Sequence, residues 1–203
     1  MRNIVMFWGI AAAIAAVEPA AAEPPAPKIQ DMITPAVLKD AQAWINTDIV
    51  RVSIQAQNHR LTDLNQAKID ALDNQWKAER ESDDKPLISA TLSNPLSVYL
   101  SRMQGRSLGL FAEIFVMDKH GLNVGQSSIT SDFWQGDEGK FQKTFDVGPE
   151  AVFIDEPEWD DDNKIWRGQV SFTINDTDGK TEIGAVTLEY NLTELQRRQA
   201  AGS

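Results

Sequence analysis

Residues 36–85 contain neither glycine nor proline, and this absence constrains the fold more than any other feature of the sequence. Both residues interrupt helices, so a stretch without them favours continuous helical structure. Thr34 and Pro35 form a typical helix start, with threonine as the cap and proline in the first turn. Apolar residues then recur at helical spacing, namely Val37, Leu38, Ala41, Trp44, Ile45, Ile49, Val52 and Ala56.

Two further helical stretches are predicted before the pattern changes. One starts at Thr62 and carries the apolar residues Leu64, Ile69, Leu72 and Trp76. The other covers about residues 86–107, restarts at Asn94-Pro95 and ends near Gly105 and Gly109. We therefore predict that residues 35–109 form the helical part of one domain.

From Leu110 onwards the sequence is typical of β-strands. Five segments rich in β-branched and aromatic residues are separated by turn sequences, and they read LFAEIFVMD, LNVGQSS, AVFIDEP, IWRGQVSFTIND and EIGAVTLEYNL. Helices followed by a meander of strands predict an α+β domain over residues 35–195, with long N-terminal helices packed on a five-stranded antiparallel sheet formed by residues 110–195. A sheet covered on one face leaves its other face for a pocket.

The first 22 residues have the three parts of a secretory signal peptide. Arg2 gives a positive start, residues 4–17 are apolar, and Ala20-Ala21-Ala22 suits cleavage. The apolar run is shorter than the ~20 residues of a membrane span, and an uncleaved anchor is the alternative. We expect a periplasmic protein without a membrane span after cleavage, with an extended leader at residues 23–34 and a short tail at residues 196–203.

The charge is strongly acidic, with a formal net charge of −11. Residues 132–167 hold eleven Asp and Glu residues against four Lys and Arg residues. A nucleic-acid partner is not expected, because phosphate binding needs a basic surface. Cations or a basic protein surface are favoured, and the alternative is a solvated acidic surface that aids solubility.

No pattern of a known catalytic or metal site is present. Cysteine is absent, and His59 and His120 are the only histidines, without the spacing of a zinc site. The acidic run from Asp155 to Asp162 is a weak signal for an acid/base pair and typical of a solvated hairpin. We predict no enzyme, no catalytic residue, no metal and no cofactor.

The stretch VMDKHGLNVGQS at residues 116–127 has three interpretations: a catalytic loop, a calcium loop or a hairpin. The residues after Asp118 do not supply the oxygen ligands of a calcium loop. Aspartate accepts hydrogen bonds from its own turn, and glycine adopts the positive φ that closes it. Asp118 and Gly121 are therefore predicted to be turn residues.

Residues 131–149, which we call the lid segment, are too long for a plain connection. They contain the adjacent aromatic residues Phe133 and Trp134, followed by Lys140. Aromatic walls with a few polar groups are typical of small-molecule pockets, and the alternative is that one ring anchors the segment in the core.

The D-x-x-G turn at Asp118 and Gly121, the segment DFWQGDEGKFQ and the strand IGAVTLEYNL together resemble the single Cache domain, a PAS-like extracytoplasmic sensor fold of bacterial receptors. The resemblance covers about residues 35–195. It implies a small ligand, such as a carboxylate or an amino acid, between sheet and lid. The matching positions are Trp134, Phe153 and Asp155; we add Lys140 from the lid segment and Ser171 and Thr173 as hydroxyls from the sheet.

One departure from the family bears on the ligand. Amino-acid-binding members carry a basic residue shortly before the lid aromatic, where this chain has Ser131 and Asp132. A zwitterionic, cationic or neutral ligand is therefore expected. The predicted function is a periplasmic sensor protein that binds a small molecule and reports to a separate membrane receptor or histidine kinase. The alternatives are a structural or protein-interaction module without a ligand, and an acid/base hydrolase.

Overall fold

The structure, a computed structural model, describes residues 23–202. The predicted signal peptide at residues 1–22 lies outside these residues and stays a prediction. Within the described part the helices are α1 (Ile29–Met32), α2 (Pro35–Ile45), α3 (Asp48–Arg60), α4 (Gln66–Arg80), α5 (Pro86–Leu92), α6 (Pro95–Arg106), α7 (Gly139–Gln142) and α8 (Leu192–Ala201).

Polar side chains determine where the longer helices begin. The Thr34 hydroxyl accepts a hydrogen bond from Val37 N at 3.3 Å, and the Asn94 side chain accepts one from Ser97 N at 2.8 Å. In both cases proline follows in the first turn, as the sequence indicated. α4 begins later than expected, at Gln66 instead of Thr62, because the Asn65 side chain caps it by accepting from Lys68 N at 3.0 Å.

The strands form one antiparallel sheet: β1 (Phe111–Asp118), β2 (Asn123–Gln126), β3 (Val152–Ile154), β4 (Glu158–Asp160), β5 (Ile165–Asn175) and β6 (Glu182–Asn191). The strand order is β2-β1-β6-β5-β3, and β4 also pairs with β5. The predicted α+β class is confirmed. The sheet has six strands instead of five, because the acidic run contributes β4, in which Trp159 pairs with Trp166.

The main core fills the space between the helices and one face of the sheet. Alternate residues of β1, β5 and β6 face this core, among them Ile114, Val116, Val170, Phe172, Val186 and Leu188. The helices supply Ala41, Ile45, Ile54, Leu96 and Leu100. Among the described residues, the short helix α7 is the only helix that packs on the other face of the sheet.

Both ends of the described part contain helices that the sequence did not predict. The extended leader reaches only Lys28, because Ile29 is fully buried and α1 packs against α8. The predicted tail at residues 196–203 is helical as far as Ala201, and Gln199 Nε2 donates to Met32 O at 2.9 Å. Gly168 of β5 lies next to these residues, and a Cβ at this position would require the ends of the Ile29 and Leu192 side chains to shift.

Helix length and hydropathy also bear on membrane insertion. α4 is the longest described helix, with 15 residues. Within residues 23–202, no helix combines the length and apolar character needed to cross a bilayer.

Candidate functional site

The face of the sheet that the helices do not cover is unusually polar. Because side chains alternate along a strand, the residues between the core positions all point to this open face. They are Glu113, Phe115 and Met117 of β1, Arg167, Gln169, Ser171 and Thr173 of β5, and Ala185, Thr187 and Glu189 of β6. Such a row of polar and charged side chains on one face of a sheet is more typical of a binding site than of a hydrophobic core.

The lid segment lies over part of the open face. Phe141 of α7 packs against Phe115, Met117 and Ala185, and its ring stacks on that of Phe145 with 5.1 Å between centroids. These apolar contacts fix α7 above the middle of the sheet. The neighbouring Lys140 consequently lies above the polar residues of the strands, with its ammonium group 5.4 Å from the centre of the Phe115 ring.

Two adjoining cavities lie between the lid segment and the sheet. The first has a volume of about 270 Å³ and is lined by Glu138, Gly139, Lys140, Asp155, Glu156, Glu158, Arg167, Gly168, Gln169 and Glu189. The second has a volume of about 220 Å³ and is lined by Glu113, Phe115, Thr130, Ser131, Gln135, Lys140, Arg167, Gln169 and Glu189. Four residues line both, so we treat the two as one site and call it the lid cavity.

The two cations of the lid cavity are already paired with acids. Lys140 Nζ lies 2.8 Å from a Glu138 carboxylate oxygen and donates to Gln135 Oε1 at 3.3 Å. The Arg167 guanidinium forms an ion pair with Asp160, and its Nη1 donates to Glu189 Oε2 at 3.4 Å. Arg167 nevertheless keeps an unpaired donor, because its buried Nε–H has no hydrogen-bond partner among the described residues.

Glu189 is the most buried acid of the lid cavity, with 7% of its surface exposed. Burial raises the pKa of its carboxyl above the ordinary value, Arg167 opposes the rise, and the nearby Glu113 carboxylate adds to it. A charged group in such a position is costly unless a partner compensates for it.

The structure brings only some of the predicted ligand-binding residues together. Lys140 and Asp155 both line the lid cavity. Ser171 lies below it, fully buried, and its hydroxyl is bonded to that of Thr187 at 2.9 Å. The buried Thr173 hydroxyl has no hydrogen-bond partner among the described residues. The Phe153 ring faces a different cation, with Lys143 Nζ 4.2 Å from its centre.

Trp134, which we predicted to close over the ligand, does not line either part of the lid cavity. Its ring packs on a second apolar cluster that includes Trp76, Leu122 and Phe133. Its indole N–H donates to His120 O at 2.9 Å. The alternative stated for this aromatic pair, an anchor in the core, describes the geometry, because the adjacent α4 offers an apolar surface that the cavity lacks.

Asp118 and Gly121 form the turn between β1 and β2. Asp118 Oδ1 accepts hydrogen bonds from His120 N at 2.8 Å and from Leu122 N at 3.1 Å, and Gly121 has a φ of +78°. Asp118 Oδ2 also accepts from Gln57 Nε2 at 2.9 Å, which ties the turn to α3. Burial raises the pKa of the Asp118 carboxyl although these hydrogen bonds oppose the rise.

Among the lid-cavity residues that sequence reasoning missed are four polar residues of β1, β5 and β6, namely Glu113, Arg167, Gln169 and Glu189. A signal for two of them was present. Arg167 and Gln169 continue the alternation of Ser171 and Thr173 along the same strand. Glu113 and Glu189 required the pairing of β1 with β6, which the order of the sequence does not reveal.

Comparison with known proteins gave solved structures only. No family model matches the chain, and no curated protein matches it. The ligand-binding domain of the Pseudomonas aeruginosa PAO1 amino acid chemoreceptor PctC, in complex with GABA, is 13% identical, with a TM-score of 0.36 over 82% of this chain and 62% of that one. The sensory domain of the Campylobacter jejuni chemoreceptor Tlp3 is 16% identical, with a TM-score of 0.39 over 80% of this chain and 65% of that one.

The sensor domain of Escherichia coli DcuS is 21% identical, with a TM-score of 0.39 over 64% of this chain and 96% of that one. The chain thus spans less than two thirds of the length of the two chemoreceptor domains. The similar structures are sensory and ligand-binding domains, the class to which the sequence resemblance pointed. Because all three TM-scores are below 0.5, we infer the function from the lid cavity and not from these neighbours.

Proposed function

We propose that the protein is a periplasmic sensor module that binds a small molecule in the lid cavity. The observation that carries this proposal is the position of Glu189, a carboxylate with 7% exposure at the junction of two cavities. Proteins rarely bury an acid without a full set of partners. A ligand that donates hydrogen bonds to it would compensate for the cost of its burial.

The lid segment connects the lid cavity to α4, so a change in its position on ligand binding would be transmitted to that helix. Asp73 of α4 accepts hydrogen bonds from Phe133 N at 2.9 Å and from Trp134 N at 3.1 Å. Lys77, one turn further on, forms ion pairs with Asp73 and with Asp132 at 2.7 and 2.8 Å. A ligand that repositions the lid segment would therefore shift α4, and the outer surface of α4 could report to a membrane receptor or a histidine kinase.

We do not propose catalysis by the acidic run. Asp160 Oδ1 accepts from Asp162 N and Asn163 N at 3.0 Å, and the hydrogen bond from the Asn163 side chain lowers its pKa to about 2. Asp161 pairs with Lys164 at 2.7 Å. These acids form a charged turn, which agrees with their interpretation as a solvated hairpin.

A thermal-shift screen of small metabolites tests the proposal. A ligand at a hundredfold excess over its Kd adds about 2.7 kcal/mol, which is a rise in Tm of about 5–10 °C for a domain of this size. Gln169→Leu should abolish the rise, because Gln169 lines both parts of the lid cavity. Gln55→Leu is the matched control, since Gln55 is also half-buried but lies on α3.

Two outcomes would contradict the proposal. One is a folded protein whose Tm no compound in a broad panel changes. The other is a ligand whose effect survives Gln169→Leu undiminished. Export is tested separately: amino-terminal sequencing of protein from the cell envelope should begin at or near Glu23.

A further inference from the structure

A groove between α3 and α6, which we call the helix groove, is suited to the docking of another protein. It has a volume of about 210 Å³, and its lining includes Ala56, Gln57 and Arg60 of α3 and Pro95 of α6. Both helices pack on the core face of the sheet, so the helix groove and the lid cavity lie on opposite sides of the sheet. A partner in the helix groove would therefore leave the lid cavity open to its ligand.

Exposed apolar side chains extend the walls of the helix groove. Val52 is 62% exposed and lies four residues before Ala56, and Val98 is 40% exposed and lies three residues after Pro95. Residues at these spacings share one face of a helix. α4 is bonded to the lid segment, but none of its described side chains is a large apolar group exposed to solvent. The apolar surface for a partner thus lies on α3 and α6.

This surface is also basic, although the whole protein is acidic. The chain has 30 Asp and Glu residues, yet residues 49–62 and 85–112 contain none. Arg60 lines the helix groove, Arg102 follows Val98 by about one turn, and Arg106 lies a further turn along α6. Among residues 23–202, no carboxylate forms an ion pair with any of these three arginines. Their charges are therefore available to attract an acidic partner.

α3 and α6 run in opposite directions, which places a cation near each end of the helix groove. Arg60, at the end of α3, lines the groove together with Pro95, at the start of α6. The Tyr99 hydroxyl, further along α6, donates to Trp44 O, which precedes α3, at 2.6 Å. Seven residues of α6 separate Pro95 from Arg102, a distance of about 10 Å at 1.5 Å per residue. The helix groove therefore has an apolar centre between two cationic ends.

We propose that the helix groove binds an amphipathic helical segment of a protein partner. Apolar residues of this segment contact Val52, Ala56 and Val98, and acidic residues about two turns apart pair with Arg60 and Arg102. A second copy of this chain does not fit, because a twofold contact through this surface would bring arginines together. The inference rests on the proposed function, since it names the surface on which a signalling partner docks.

Gln57 connects the helix groove to the lid segment. Its side chain lines the groove, and its Nε2 donates to Asp118 Oδ2 at 2.9 Å. In the same turn, Gly121 O accepts a hydrogen bond from Gln135 N of the lid segment at 2.8 Å. A partner in the helix groove is therefore linked through the Asp118 turn to the segment that covers the lid cavity.

The test uses a fluorescently labelled synthetic peptide of about 15 residues, which at 1.5 Å per residue in a helix spans the groove. Leucines occupy one face of its centre, and glutamates occupy its first and last turns. Anisotropy titrations with the purified protein should show that it binds at least about tenfold more tightly than a version with glutamines in place of the glutamates. Added salt should weaken the binding, because it screens exposed charges.

Four variants at exposed positions locate the binding surface. Arg102→Glu and Val98→Ser should each weaken binding of the acidic peptide about tenfold or more. Lys68→Glu reverses a charge on α4, and Val147→Ser alters a side chain that is 69% exposed outside the helix groove. These two controls should leave the affinity unchanged. All four variants should melt like the wild type, because none of the four side chains is part of the core.

Three results would overturn the assignment of the helix groove. The first is an acidic peptide that does not bind, or that binds no more tightly than a peptide with lysines in place of the glutamates. The second is binding that Lys68→Glu abolishes and Arg102→Glu does not, which would place the contact on α4. The third is that Arg102→Glu or Val98→Ser instead abolishes binding to phosphatidylglycerol vesicles or dissociates a dimer in sedimentation velocity, which would assign the surface to a membrane or to a second copy.

Failure of this inference is distinguishable from failure of the proposed function. If the thermal-shift screen finds a ligand that Gln169→Leu blocks and the acidic peptide does not bind, the helix groove assignment fails while the proposed function stands. If the peptide binds as expected and no metabolite changes the Tm, the proposed function fails and the helix groove remains a protein-docking surface.

Discussion

Because Gly121 has no side chain, its turn can lie against the backbone of Gly136. Its φ of +78° is a left-handed conformation, and a Cβ built there would lie 2.6 Å from Gly136 Cα and 2.6 Å from Gly136 N. Gly179 also has a positive φ, +67°, but nothing lies within 4 Å of a Cβ at that position. Substitution of Gly179 therefore measures backbone strain alone, whereas substitution of Gly121 adds a collision with backbone atoms.

Gly179→Ala should cost about 1–2 kcal/mol of unfolding free energy, the usual cost of a left-handed residue with a side chain. Gly121→Ala should cost at least about 2 kcal/mol more, because backbone atoms of Gly136 must move as well. Urea denaturation of both variants measures the difference. Equal losses of unfolding free energy would show that the backbone around Gly136 moves aside without a measurable cost.

Trp134 is half-buried against the second apolar cluster, which includes Trp76 of α4, and its indole N–H donates to His120 O at 2.9 Å. Trp134→Ala should cost about 2–3 kcal/mol, somewhat less than a fully buried tryptophan. Trp134→Phe keeps most of the packing and loses the hydrogen bond, so it should cost about 1 kcal/mol. Thermal melts without ligand compare the two. An unchanged Tm for Trp134→Ala together with lost ligand binding would restore Trp134 as a ligand contact.

At the scale of elements, α4 holds one end of the lid segment through several independent contacts. Asp73 accepts from two lid amides, and Arg80 donates to Ser131 O at 3.1 Å. Trp76 Nε1 donates at 3.0 Å to the carbonyl oxygen of Thr130, the residue directly before the lid segment. The Trp76 and Phe133 rings stack with 5.2 Å between centroids. The other end of the lid segment rests on the sheet through Phe141. The lid segment around the cavity is therefore held at one end by α4, in the helical part, and at the other end by the sheet.

Asp73→Ala should cost about 2–3 kcal/mol, because it leaves the amides of Phe133 and Trp134 without their acceptor. Hydrogen exchange at these two amides should accelerate more than exchange in the sheet. Asp70→Ala is the control on the same helix. Asp70 is exposed, and among residues 23–202 its carboxylate accepts only from Gln66 at 2.7 Å, so its loss should cost no more than about 0.5 kcal/mol. Equal effects of the two variants would mean that α4 does not hold the lid segment through Asp73.

The whole molecule carries a net charge of −11 and still buries acids, at Asp118 beside the turn and at Glu189 in the lid cavity. Burial raises the pKa of both carboxyl groups. The groups that act on Glu189 are Arg167 and Lys140, which oppose the rise, and Glu113 and Glu158, which add to it. A raised pKa means that the folded protein binds the proton more tightly than the unfolded chain does.

The contribution of Glu189 to stability is therefore fully present below its unfolded pKa of about 4.3 and is lost as pH rises through the higher folded value. Glu189→Gln does not ionise, so its Tm should gain on that of the wild type between pH 4 and pH 7. Glu150→Gln, at an exposed acid, provides the baseline. If the Tm of Glu189→Gln does not rise relative to that of the wild type between pH 4 and pH 7, the assigned burial cost is contradicted.

Much of the architecture follows from local patterns in the sequence. Helix starts at Thr34 and Asn94, the turn at Asp118 and Gly121, and the five main strands depend on residues within a few positions of one another. Capping, turn chemistry and side-chain alternation act over such distances, so they can be read along the chain. The α+β order of elements follows from the same signals.

The composition of the candidate site was decided by the tertiary structure. Alternation shows that Glu113 and Glu189 each share a face with their strand neighbours, but only the pairing of β1 with β6 places them opposite each other. Trp134 had two interpretations, and only the tertiary structure shows that its ring packs on the cluster that includes Trp76 of α4. Charge and aromaticity state what a side chain can do, whereas the sheet order and the packing of the lid segment determine which side chains meet, because those contacts join residues far apart in the chain.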